Sequence, residues 1–383
     1  MKVKSFKIEI PDVDLEDLRD RLAVTRWPMP ALSPAWEDGS DLAFMRHLAA
    51  YWRNGFDWRV QERRLNSLPQ FMATIDGQDI HFVHARGEGS TPMPLILTHG
   101  WPGSFLEFES ILPLLTRPSR FGGNAADSFD VVIPSLPGFG FSPAPTRPGM
   151  SPRRIAGLWV ELMRGLGYER FGAQGGDIGA GVSVWAARLF PDAVAGLHLN
   201  YIPGSYQPPL EPPEPPVSSE EKAFLREAAE WSKNEGAYAH LHATRPQTLA
   251  YGLADSPIGL AAWLIEKYRA WSDCDGDLER VFNQDHLLTT LSLYWFSGAP
   301  GGAIRIYKEG ALDPLVFAPG ERITPPLNVA LFPRDLPMPP RSWVERAFDV
   351  QRWTVMPAGG HFAAAEQPHA LAEDIRGAMR TVR

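Results

Sequence analysis

The stretch Gly175-Gly176-Asp177-Ile178-Gly179-Ala180 constrains this chain more than any other. It follows an apolar-aromatic segment at residues 168–171 and precedes a helix-like run at residues 181–190, so it reads as strand, sharp turn and helix. Small residues packed around one acidic side chain suit a turn where the backbone is strained and a helix passes close to a strand. The spacing is that of a nucleophile elbow, G-x-Nuc-x-G, with Asp where a serine hydrolase has Ser. A glycine-rich loop with an N-capping Asp would carry the same letters. The rest of the chain decides between the two.

At 383 residues the chain is long for one domain, which predicts a core with a large insertion or two units. Hydrophobic residues at 44% and charged residues at 21% are those of an ordinary globular protein. A net charge of −8 argues against nucleic acid or an anionic membrane surface as the main partner. The single cysteine, Cys274, leaves no intramolecular disulfide and no cysteine metal cluster, and fits a reducing cytoplasmic setting. No apolar run precedes the acidic residues 12–16, and no stretch approaches about 18 apolar residues, so neither a secretory signal nor a membrane anchor is expected. With 13 Trp and 37 Pro, rigid loops and an aromatic-lined cavity are expected.

Residues 1–90 do not alternate strand and helix. Residues 6–10 have the alternation of a short strand, residues 14–22 place Leu15, Leu18 and Leu22 at helical spacing, and residues 42–52 read as a second helix. Residues 71–75 and 80–84, joined by Asp76-Gly77-Gln78-Asp79, predict a hairpin. From Pro94 the texture changes. Apolar strands at 95–98, 130–134 and 194–200 alternate with helical patterns at 105–115 and 152–166, the elbow lying between the last helix and the last strand. That rhythm means a mostly parallel, doubly wound sheet. A proline-dense linker at 201–217 and helical patterns at 220–231, 257–271 and 284–295 interrupt it as a candidate cap. The rhythm resumes with strands at 329–332 and 352–356 and helices at 342–348 and 368–381.

An Asp on an elbow, Asp335 just after a late strand and His361 just after the last one stand in the order nucleophile, acid, histidine. This is the order of α/β-hydrolases, whose ligands sit beyond the carboxyl ends of the strands. Each residue alone also fits a cap or a loop; together they make a constellation. His99-Gly100-Trp101-Pro102 follows a strand at the place where such folds build an oxyanion hole, and the backbone N–H groups of Trp101 and Ile178 are the expected donors.

The nucleophile type narrows the chemistry. A serine attacking an sp³ carbon would leave an inert ether, whereas a carboxylate leaves an ester that water can cleave at the enzyme's own carbonyl. An aspartate also needs no base to attack at neutral pH. His361, oriented by Asp335, is then free to activate water. Such elbows suit epoxide opening or halide expulsion. An epoxide oxygen needs a proton donor such as a phenol, while a halide needs only an N–H cradle. The cap segment offers Tyr238, Tyr251, Tyr268, Tyr294 and Tyr307, and spacing alone does not say which face a pocket. A haloalkane dehalogenase and a non-catalytic ligand-binding protein on the same fold remain as alternatives.

Over nearly its whole length the chain resembles the microsomal-type epoxide hydrolases. The resemblance rests on residues 56–59 through 80–84, on His99-Gly100-Trp101-Pro102, on Gly175-Gly176-Asp177-Ile178-Gly179, on residues 236–240, 254–260 and 305–309, and on Gly359-Gly360-His361-Phe362-Ala363-Ala364. It implies an α/β-hydrolase fold with an N-terminal meander at 1–90, a core at 91–200 and 313–383, and a helical cap at 201–312. It also implies Asp177 as nucleophile, His361 as water-activating base, Asp335 as its acid, and Tyr238 with Tyr307 as the pair that protonates the epoxide oxygen. Mammalian members carry Glu at the position of Asp335 and begin with a membrane anchor that is not expected here. The implied partners are an apolar epoxide and water, with no metal or organic cofactor; a homodimer is among the assemblies left open.

Overall fold

The computed structural model describes residues 1–204, 206–298 and 300–383. Its centre is a 9-stranded sheet in the order β1-β2-β3-β5-β4-β6-β7-β8-β9. The strands are β1 (Val3–Ser5), β2 (Gln70–Ile75), β3 (Gln78–Ala85), β4 (Met93–Thr98), β5 (Phe129–Pro134), β6 (Phe171–Gly175), β7 (Val194–Leu199), β8 (Ile323–Leu331) and β9 (Phe348–Val355). From β5 to β9 all neighbours are parallel. β1, β2 and β3 extend that block antiparallel along its β5 edge. β5 and β7 are buried at every position, the continuous apolar reading of strands covered on both faces.

The predicted hairpin forms, with Asp76 and Gly77 both at positive φ in its two-residue turn. Four local expectations shift. Residues 6–10 do not form the strand: β1 pairs earlier, and the backbone N–H groups of Ile8 and Ile10 donate instead to the side chains of Asn66 (2.8 Å) and Glu62 (2.8 Å). The alternation was real, since Ile8 and Ile10 are buried, but side chains at the end of the helix Trp58–Leu65 take the place of a neighbouring strand. The elbow strand lies at Phe171–Gly175 rather than 168–171, because only its small residues allow the close approach of neighbouring elements. Residues 105–115 split into the 3-10 turn Phe105–Phe108 and the short helix Leu112–Thr116, which Pro113 starts. The helix expected at 342–348 is one turn, Arg341–Val344, after which β9 begins at Phe348.

Between β7 and β8 the chain leaves the sheet and builds helices from Ser219–Glu235 to Pro300–Leu312 over the carboxyl ends of the strands. The N-terminal segment ties sheet edge to these helices. Tyr51 donates to Asp285 (2.8 Å), the Trp52 indole to Ser292 (3.0 Å), and Ser40 to the Ala262 carbonyl (2.7 Å). Among the described residues no single helix is long and apolar enough to cross a membrane.

Candidate active site

Asp177 sits at the turn between β6 and the helix Asp177–Leu189, with φ +48°, a left-handed conformation unusual for a residue with a side chain. The turn closes because Gly175 and Gly179 lack side chains. A Cβ on Gly175 would meet the backbone of Gly179 and Ala180, and one on Gly179 would run into the carbonyl of Thr98 in β4. The strained aspartate is thereby presented beyond the carboxyl end of β6.

Two groups converge on its carboxylate. The Trp101 N–H donates to Asp177 Oδ1 at 2.9 Å, and His361 Nε2 lies 3.4 Å from Asp177 Oδ2. His361 Nδ1 pairs with Asp335 Oδ1 at 2.6 Å, and that same oxygen accepts the Leu336 N–H at 2.7 Å. The second oxygen of Asp335 is buried without a partner among the described residues. Burial alone would lower the His361 pKa, but Asp335 and then Asp177 outweigh it and hold the imidazole well above its ordinary value. Its place between two carboxylates thus favours the imidazolium form of His361. His99, by contrast, is a structural residue: burial lowers it to about 4, one ring nitrogen faces the Gly100 carbonyl and the other accepts from Leu136 N–H.

Of the five candidate tyrosines, two reach this place. Tyr238, in the helix Ala237–Thr244, and Tyr307, in the helix Pro300–Leu312, line with Asp177 and Ile178 a cavity of about 410 Å³ whose walls are mainly apolar. Trp101 stacks on Tyr238 (centroids 5.2 Å, 13°) and meets Tyr307 edge-on (6.0 Å, 88°). The Tyr307 hydroxyl is buried beside that of Tyr238, and among the described residues it makes no hydrogen bond of good geometry. Burial first, and the Asp177 charge after it, hold the Tyr238 phenol well above its ordinary pKa; burial, then Tyr238 and Asp177, do the same for Tyr307. Both are neutral donors at pH 7. The other three go elsewhere: Tyr251 is 74% exposed, Tyr268 stacks on Phe362, and Tyr294 donates to the Gly103 carbonyl (2.8 Å).

Sequence reasoning missed several participants. Tyr201 lines the same cavity with its ring 5.9 Å from His361, yet it sits at the start of a proline-rich linker with no motif around it. His242 stands edge-on to Trp101 (4.8 Å) and Tyr307 (4.9 Å) and accepts the Trp263 indole N–H (3.0 Å), completing an aromatic frame around the two phenols. Its spacing of four residues from Tyr238 on one helix was a readable signal. Glu366 accepts three backbone N–H groups, from Asp273 (2.8 Å), Gly360 (2.9 Å) and Phe362 (2.9 Å). It thus clamps both neighbours of His361 and ties them to the cap, where the His361 N–H also meets the Trp271 carbonyl (2.8 Å).

With this geometry in place, comparison with known proteins is direct. The profile of the epoxide hydrolase N terminus matches residues 3–108, and that of the alpha/beta hydrolase fold residues 93–260. A protein of Stigmatella aurantiaca is 43% identical over 382 residues, covering 100% of this chain and 86% of its own. Epoxide hydrolase 1 of Oryctolagus cuniculus is 36% identical over 97% of this chain and 88% of its own. The solved Aspergillus niger epoxide hydrolase superposes with a TM-score of 0.86 at 33% identity, covering 100% of this chain and 97% of that one. Taken with the full-length match, the chain belongs to the microsomal-type epoxide hydrolase family, on the α/β-hydrolase fold.

Proposed function

We propose that this enzyme opens an apolar epoxide to a vicinal diol through an ester on Asp177. The observation that carries the reading is the pair of buried phenols, Tyr238 and Tyr307, lining the same apolar cavity as the Asp177 carboxylate; among the described residues no acceptor meets the Tyr307 hydroxyl at good hydrogen-bonding geometry. A buried phenol without an acceptor is costly unless a ligand supplies one. An epoxide oxygen supplies it while the ring carbon meets the carboxylate.

In the first step an Asp177 oxygen forms a bond to a ring carbon, the C–O bond of the epoxide breaks, and a phenol gives its proton to the leaving oxygen. The proton held by His361 in the resting site replaces the one the phenol gave up, which leaves a neutral imidazole. Esterification supports this change, since it removes one of the two charges that hold His361 protonated. In the second step the imidazole takes a proton from water as the water oxygen bonds to the ester carbonyl. The amides of Trp101 and Ile178 hold the oxyanion, and Asp335 holds the imidazolium. Collapse releases the diol.

A cytoplasmic setting and a small-molecule partner fit the same reading, and the single cysteine, Cys274, is free and buried. The test is diol formation across phenyl-substituted, terpene and fatty-acid epoxides, with Asp177→Ala as control. Diol formed by that variant at the rate of the parent would overturn the reading.

A further inference from the structure

Asp177 separates two spaces of very different size. In front lies the cavity of about 410 Å³ with the phenols; behind it lies a small, largely enclosed pocket of about 20 Å³ lined by His361, Glu107, Asn200, Thr98 and His99. Among the described residues Asp177 is the one residue that borders both. A volume of about 20 Å³ is what one water needs, provided that polar groups are there to hold it.

Most polar groups of this rear pocket are already engaged. The Thr98 hydroxyl accepts the Trp159 indole N–H (3.1 Å), the Asn200 carbonyl oxygen accepts the Gln174 amide (2.8 Å), and both His99 nitrogens are taken up by backbone. Among the described residues the Glu107 carboxyl makes no hydrogen bond to another side chain; it accepts from the backbone of Ser104. It lies against the backbone of residues 103–104, in the space that a Cβ on Gly103 would fill. Glu107 is half-buried and belongs to the lining of this pocket.

We propose that Glu107 is a catalytic residue of ester hydrolysis: its carboxyl accepts one O–H of a water in the rear pocket while His361 accepts the other. This rests on the Asp177 ester of the proposed function. A water attacking a carbonyl has two O–H groups to satisfy and one lone pair to aim. Two acceptors lining one pocket fix all three directions. As the oxygen–carbon bond forms, the proton facing His361 moves to Nε2. The tetrahedral centre then loses the alkoxide, which takes that proton and leaves as diol. The proton still facing Glu107 ends on the regenerated Asp177–His361 pair, restoring the resting imidazolium. Burial, then the Asp177 charge, raise the Glu107 carboxyl to about 8 against the pull of His361, so it does not add a second charge behind the nucleophile.

The experiment compares Glu107→Leu, which keeps the volume but loses both oxygens, with Glu107→Gln, which keeps a carbonyl acceptor. Each is mixed rapidly with a phenyl-substituted epoxide, quenched in acid, and followed by intact-protein mass for ester and by diol release. The proposal expects ester formation at the parent rate in both. It expects hydrolysis slowed about 10- to 100-fold in the Leu variant, with ester accumulating, and within a few-fold of the parent in the Gln variant. Hydrolysis at the parent rate in Glu107→Leu overturns it, as does an equal loss in both steps, which is what a purely structural residue would give. Absence of ester in the His361→Gln variant would instead overturn the two-step reading itself.

Discussion

Replacing Asp335 by Asn isolates one term of the proposed cycle. The His361–Asp335 contact is short at 2.6 Å, and both side chains are nearly sealed from solvent. Asn can keep its oxygen toward His361 Nδ1 and Leu336 N–H, but its NH₂ then falls where the second carboxylate oxygen has no neighbour to accept from it. Two costs add: the charge that stabilises the imidazolium is gone, and a buried donor is unmet. At about 4 Å between charge centres and an effective dielectric near 20 the first is about 4 kcal/mol. Breaking buried pairs costs about 3–5 kcal/mol by mutation. About 3–4 kcal/mol in the step where His361 becomes positive means hydrolysis slower by about 10²–10³-fold. Ester formation, in which Asp177 attacks without a base, should change far less. Rapid mixing with acid quench and intact mass would then show ester accumulating to most of the protein. If ester formation and hydrolysis slow by the same factor, or if diol release is unchanged, the assignment of Asp335 to the second step is wrong.

Replacing Tyr238 and Tyr307 together by Phe should slow ester formation about 10²–10⁴-fold while leaving hydrolysis of preformed ester near normal, read in the same assay. Glu366→Ala leaves three backbone N–H groups unmet at about 1–3 kcal/mol each, so the melting temperature should fall by several degrees; an unchanged melting curve would remove the clamp from the account. Stability should also carry the mark of Glu107. Its folded pKa is raised from 4.5 to about 8 by burial, with Asp177 and Glu366 raising it and His361 lowering it. The unfolded chain thus releases this proton first, so the contribution is full below pH 4.5 and is lost as pH rises toward 8. Glu107→Gln should therefore raise the melting temperature more at pH 8 than at pH 5, and the opposite order would contradict the assignment.

What the letters disclosed and what they withheld follows from range. The elbow was legible because its constraint is local: Gly175, Asp177 and Gly179 must lie within one turn, so the pattern survives in sequence. Asp335 and His361 were legible through chain order and their place after strands. The choice among five tyrosines was not readable from spacing, since a helix in the cap meets the elbow across a gap that no local period encodes; it came from a resemblance, and the geometry then brought Tyr238 and Tyr307 beside Asp177. Residues 6–10 misled because alternation reports burial on one side, whatever partner serves the backbone. Glu107 and Glu366 carry no residue-type signal at all. Their importance lies in the backbone and the pocket they face.

The most direct test of the central claim is a single turnover in heavy-oxygen water with enzyme in excess over epoxide. If Asp177 forms an ester that is cleaved at its carbonyl, the first diol takes its new oxygen from the protein. The heavy oxygen then appears in the Asp177 carboxylate, located by peptide mass. A first-turnover diol carrying the solvent oxygen, with Asp177 unlabelled, would mean that water attacks the epoxide directly.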